Sequence, residues 1–125
     1  MYVILYDILI CLQEVTMSDF KEIYDALIKF RNERDWEQFH NSKDLALAIN
    51  VEAGELLELF LWKSADEVDP EKLKEELADV FAFAFLLANK HKLDVKEIVL
   101  DKIQKNAKKY PVHKARGTAK KYDEL

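Results

Sequence analysis

Residues 45–62 read LALAINVEAGELLELFLW. From Leu45 to Val51 a single side chain, Asn50, is polar, and Leu56, Leu57, Leu59, Phe60, Leu61 and Trp62 follow. A helix that is apolar nearly all round is written for burial rather than for an amphipathic surface. Glu52, Glu55 and Glu58 interrupt it. A second segment, PEKLKEELADVFAFAFLLAN over residues 70–89, changes character halfway. PEKLKEE has a solvated pattern. LADVFAFAFLLAN holds one ionisable residue, Asp79, with Glu76 one turn before it, and Asp is a poor residue for a helix interior. Two such segments in one chain predict buried helices packed face to face, hence an all-α fold.

The rest of the chain agrees. It has 125 residues, enough for one domain with one hydrophobic core. Glycine and proline number two each. Sheets need many turns, and turns need such breakers, so their scarcity favours long helices joined by few loops. Phe20, Ile23, Leu27 and Phe30 are spaced for a helix from about Asp19 to Glu33. Ser42 can cap the second helix, expected to run to about Trp62. Asp69-Pro70 is a strong helix start, and the third helix should reach about Lys90. Asp94 with Glu97 resembles a capping box for a fourth, which ends near Tyr110 because Pro111 disfavours helical geometry before it. Four such helices make a four-helix-bundle-type fold. Their apolar surface exceeds what one such core needs, which points to a homo-oligomer.

Residues 1–12, MYVILYDILICL, are too short to span a bilayer, are interrupted by Asp7 and lack the features of a signal peptide. Residues 1–16 read as an N-terminal extension, with Met17, followed by the capping residues Ser18 and Asp19, as the candidate natural start. The domain then covers residues 17–125. The formal charge of −5 argues against generic nucleic-acid binding. The one cysteine, Cys11, excludes an intrachain disulfide framework and cysteine zinc clusters, and fits a cytoplasmic location.

Residues three apart share a helix face, so Glu52 pairs with Glu55, and Glu76 with Asp79. If the apolar stretches pack together, the pairs can face each other. Two like charges about 4 Å apart repel by roughly 4 kcal/mol at an effective dielectric of about 20. Four anions in one place therefore need cations or protons. Oxygen-only ligands favour magnesium, manganese or calcium, and magnesium commonly bridges carboxylates to phosphates. A di-iron site would use Glu-x-x-His, and no histidine follows either pair. The bland alternative is a solvated acidic face, common in a chain with 24 acidic residues. The apolar setting, met twice, favours the metal. On spacing alone, Glu55 with Glu58 would serve as well as Glu52 with Glu55.

Four stretches, ERDWEQFH (33–40), VEAGELLELFLWK (51–63), EELADV (75–80) and KKYPVHKARGTAKKY (108–122), together resemble the all-α, MazG-like nucleoside triphosphate pyrophosphohydrolases, nearest to their dCTP pyrophosphatase branch. The resemblance runs in order from about Phe20 to Leu125. It implies magnesium-dependent hydrolysis of a nucleoside triphosphate, dCTP or a modified pyrimidine, to the monophosphate and pyrophosphate. It assigns the metal to Glu52, Glu55, Glu76 and Asp79, preferring Glu52 over Glu58. Glu55 is the candidate to orient or deprotonate the attacking water. The loop Trp36–His40, with Trp36, Gln38 and His40, matches the family's nucleotide-contacting loop, and Trp62 a base-pocket tryptophan. Phe83 falls where close relatives carry tyrosine, and Leu27 where some carry histidine; both departures bear on base selectivity, not on reaction type. Assembly as a dimer or dimer of dimers is implied as well.

Several residues carry a second reading. Trp36 and Phe39 could plug the end of the bundle instead of stacking on a base. Trp62, seven residues beyond Glu55, should lie on the same helix face beside the metal, although core packing would explain it and Phe83 equally. His91 reads as a solvated helix-end residue and His113 as part of the tail. The basic run Lys108, Lys109, Lys114, Arg116, Lys120 and Lys121 could be a solvated tail, or Asn106, Lys109 and Tyr110 could touch the triphosphate. The competing function is a non-catalytic helical module that binds a nucleotide, a metal or another protein.

Overall fold

A computed structural model describes residues 19–125, and among them every regular element is helical. Helix α1 occupies residues 19–33. It is followed by a short 3-10 turn, Glu37–Phe39, then α2 (Ser42–Glu58), α3 (Pro70–Lys90), α4 (Val95–Lys109), α5 (Val112–Ala115) and a last 3-10 turn, Tyr122–Glu124. The proposed extension, residues 1–16, and the proposed start at Met17 lie outside the described residues. The chain divides at Lys90 into two compact units, α1–α3 and the residues from His91 onward.

The caps explain where the helices begin. Asp69 precedes Pro70, and its Oδ1 accepts the Glu71 N–H at 3.0 Å, satisfying a donor the first turn leaves open. Asp94 does the same for α4, accepting the Glu97 N–H at 2.9 Å. For α2 the cap is Asn41, one residue earlier than expected. Its Oδ1 takes the Asp44 N–H at 2.9 Å, and Ser42 is already the first helical residue.

The end of α2 departs further from expectation. The helix stops at Glu58, not near Trp62. Phe60 and Leu61 donate to carbonyls three residues back, at 3.0 and 3.2 Å, and Trp62 turns left-handed with φ 62°. That conformation is the usual stop for a helix but normally belongs to glycine.

Within the first unit α2 packs along α3, and α1 lies against α3 through aromatic rings. The Phe85 ring sits 5.1 Å from Tyr24, edge-on, and 5.8 Å from Phe20. Leu45, Phe85, Leu86 and Ala88 are buried. Burying a leucine or phenylalanine side chain is worth about 1.5–3 kcal/mol each. The expectation that α2 is buried nearly all round does not hold within one chain. Leu47, Val51 and Leu57 are exposed, as are Leu77 and Phe81 on α3. Apolar patterning reports a demand for burial, and one copy of the first unit meets only part of it. No helix among the described residues is long and apolar enough to cross a membrane.

In the second unit the tail folds back on the end of α4. The Tyr110 ring meets Tyr122 edge-on at 6.1 Å, and Lys109 Nζ lies 5.0 Å from the centre of the Tyr122 ring. The mostly polar tail therefore carries an ordered aromatic contact.

Candidate metal and nucleotide site

The packing of α2 on α3 brings carboxylates of both helices together. Single oxygens from Glu52, Glu76 and Asp79 lie within 4.8 Å of one another. Glu52 and Glu76 are half-buried and Asp79 is exposed. Glu55 is outside this trio, but its carboxyl lies close enough to Glu52 and Glu76 to raise the pKa of both. Of the four residues to which the resemblance assigns the metal, Glu52, Glu76 and Asp79 converge and Glu55 lies beside them.

The electrostatics follow. Burial, then the Glu55 carboxyl beside it, then the charges of Asp79 and Glu76 push Glu52 up to about 7 from 4.5. Burial and the neighbouring Glu55 raise Glu76 in the same way, with Asp79 and Glu75 adding to it. Oε2 of Glu52 is buried with no hydrogen-bond partner. A buried carboxylate oxygen without a donor is a costly arrangement unless something positive meets it. The donors are all carboxylate oxygens, with no imidazole or thiolate among them. Such a set fits a hard divalent cation of the magnesium, manganese or calcium kind.

The loop between α1 and α2 holds its aromatics at the surface. Trp36 is 44% exposed and Phe39 61% exposed, so neither plugs the helix bundle. Phe30 meets Trp36 edge-on at 5.7 Å, and the Arg34 guanidinium lies 3.6 Å from the centre of the Phe30 ring and 6.0 Å from that of Trp36. Arg34 also donates through Nη1 to the Phe30 carbonyl at 2.9 Å. These two neighbours of Trp36 were missed in the sequence, although a Phe and an Arg four residues apart at a helix end signal such stacking. Gln38 donates through Nε2 to the carbonyl and a carboxylate oxygen of Asp35, at 3.0 and 2.8 Å. It therefore braces the loop, and the left-handed Asp35 (φ 53°) sits where α1 turns into it. His40 is half-buried, its Nδ1 buried without a hydrogen-bond partner.

Trp62 was expected on the face of α2 that carries Glu55. Because α2 ends at Glu58, the helical extrapolation fails, and the indole is fully exposed at 100%. Core packing is thereby excluded for it within this chain. Phe83 is half-buried on α3, one turn after Asp79. Leu27, the second departure from the family pattern, is half-buried on α1. Asn106, Lys109 and Tyr110 belong to the second unit, where the Asn106 carbonyl accepts the Tyr110 N–H at 2.8 Å and Tyr122 gathers Lys109 and Tyr110.

The sequence profile of the MazG-like family matches residues 47–125. The chain is 40% identical over 120 residues to dCTP pyrophosphatase 1 of Homo sapiens and 41% identical to that of Mus musculus. Each alignment covers 90% of this chain and 69% of the relative. A pyrophosphatase from Archaeoglobus fulgidus, known from its crystal structure, has a TM-score of 0.69 and 35% identity, covering 73% of this chain and 91% of that one. Two carboxylate pairs on adjacent helices, an all-helical fold and these matches agree, and the chain belongs to the MazG-like family.

Proposed function

We infer that this protein is a magnesium-dependent nucleotide pyrophosphohydrolase that cleaves dCTP, or a modified pyrimidine deoxynucleotide, to the monophosphate and pyrophosphate. The observation that carries the reading is the convergence of Glu52, Glu76 and Asp79, with Glu55 beside them, in a chain about 40% identical to dCTP pyrophosphatases. Magnesium held by these carboxylates would neutralise the charge on the phosphate oxygens; manganese is the natural substitute.

The chain's own residues then have distinct tasks. Glu55 orients the attacking water and accepts its proton as the new P–O bond forms and the bridging P–O bond to the departing pyrophosphate breaks. Trp36, held edge-on by Phe30, offers a ring face to the base, a contact worth roughly 1–3 kcal/mol. Gln38 and His40 complete that loop. Phe83 and Trp62 add apolar surface to the base site. Pyrophosphate release from dCTP, 5-methyl-dCTP, dUTP, dTTP and dATP with magnesium tests the reading. We expect the cytosine nucleotides to turn over fastest; turnover of none would leave only a binding module.

Trp62 gives a sharper test of the base site. A left-handed tryptophan with no burial contributes nothing to this chain's packing. Trp62→Gly removes strain but adds chain entropy, so stability should stay within about 1 kcal/mol. KM should rise severalfold. A wild-type KM would remove Trp62 from the substrate site.

The exposed apolar faces of α2 and α3, including Val51, Leu57 and Phe81, support a homodimer or dimer of dimers. A monomer in sedimentation equilibrium would sink that part of the reading. The substrate and the lone cysteine fit a cytoplasmic enzyme of nucleotide-pool clearance, with neither nucleic acid nor membrane as a partner.

A further inference from the structure

Arg31 lies in the last turn of α1, and its side chain is only 14% exposed. The other ion-paired cations among the described residues, Lys21, Lys29, Arg34 and Lys74, are 41–77% exposed. A guanidinium largely withdrawn from water needs partners. Nε and Nη2 both donate to Oδ1 of Asn32, at 3.1 and 2.9 Å, and Nη2 lies 3.4 Å from Oε2 of Glu37. The Arg31 carbonyl also accepts the N–H groups of Arg34 and Trp36, at 3.3 and 3.1 Å. Main chain and side chain of one residue thus tie the end of α1 to both Trp36 and Glu37. Glu37 in turn accepts the His40 N–H on its carbonyl at 3.1 Å.

We propose that Arg31 is a positioning residue for the substrate loop, clamping the Glu37–Phe39 turn so that Trp36 and His40 meet the nucleotide already in place. A loop carrying two of the candidate contacts would otherwise have to be ordered at the moment of binding, which weakens affinity. The charges of the clamp also reach His40. Burial, then the charge of Arg31, lower its pKa, with Lys90 acting in the same direction and Glu37 opposing. At neutral pH the ring is uncharged, and its buried Nδ1 has no partner in the chain. A preformed loop with a neutral imidazole can exchange a hydrogen bond with an uncharged polar group, such as the edge of a base, without an ionised ring to desolvate. The proposal rests on reading residues 36–40 as the substrate loop.

The test uses Arg31→Met, which keeps the length of the side chain without its charge, Arg31→Lys, and Glu37→Gln, which breaks the same ion pair from the loop side. The His40 pKa is followed by NMR in the free protein, and kcat and KM for dCTP are measured between pH 6 and 8. Arg31→Met should raise KM roughly tenfold with kcat nearly unchanged, the signature of lost positioning for binding. It should raise the His40 pKa, whereas Glu37→Gln should lower it while also raising KM. Arg31→Lys should restore the His40 pKa but only part of KM, because an ammonium cannot fork between Asn32 and Glu37. General loosening of the loop would not move the His40 pKa in opposite directions. If Arg31→Met does not fold, Glu37→Gln carries the test. A wild-type KM in the folded variants, or a His40 pKa that moves in neither, overturns the clamp. No turnover by the wild-type protein overturns the functional reading instead, and the pKa measurements still decide whether the clamp exists.

Discussion

Glu55→Gln should lower kcat by roughly 10²–10⁴-fold, the range for loss of a general base, while magnesium affinity falls far less. Asp79→Asn should do the reverse in order of severity, losing the metal first. The difference follows from geometry. Asp79 is one of three carboxylates whose oxygens converge within 4.8 Å, and Glu55 is not. Glu55 instead borders both Glu52 and Glu76, where it can hold a water and take its proton. The amide of glutamine keeps the shape and one acceptor but cannot accept that proton at neutral pH. Pyrophosphate release gives kcat, and calorimetric titration with magnesium gives affinity. Equal losses of magnesium affinity in the two variants would make Glu55 a fourth ligand and leave the base unassigned.

Much of this site was legible because the sequence contradicts itself there. Asp79 stands alone among LADVFAFAFLLAN, and Glu52 and Glu55 break an apolar run; charges placed against the demand for burial mark a place where something else balances them. Spacing alone could not separate Glu52 from Glu58, since both lie three residues from Glu55. Nor could it show that Glu55 stands at the edge, which depends on how α2 and α3 are set against each other. The helix starts at Pro70 and Val95 were readable from Asp69 and Asp94, whose capping is local chemistry. The end of α2 was not. Leu59, Phe60, Leu61 and Trp62 are acceptable helix residues, and no glycine or proline announces the left-handed turn at Trp62. The exposure of Leu57 and Phe81 escaped for another reason, because a pattern states which side chains need cover and not which chain supplies it.

Magnesium affinity should fall about tenfold for each pH unit below about 7, because each ion bound must displace the proton that Glu52 holds there. Glu52 ordinarily titrates at 4.5, and in the fold burial and the neighbouring Glu55 move it to about 7. Between these values the metal-free folded chain binds more protons than the unfolded one. Its stability is therefore fully present below about 4.5 and is lost as pH rises through about 7. The melting temperature without metal should drop across that window, steepened by Glu76, which is raised for the same reasons. With saturating magnesium that fall disappears, because Glu52 is then ionised in the folded and the unfolded chain alike. The ion selects the ionised carboxylates, so its stabilisation grows with pH until Glu52 is fully ionised. Thermal melts from pH 5 to 8, with magnesium and with a chelator, should therefore diverge as pH rises. Glu52→Gln removes the proton that couples the two, so its metal-free melts should lose most of this slope. The two wild-type curves running parallel would mean that Glu52 is not where the ion binds.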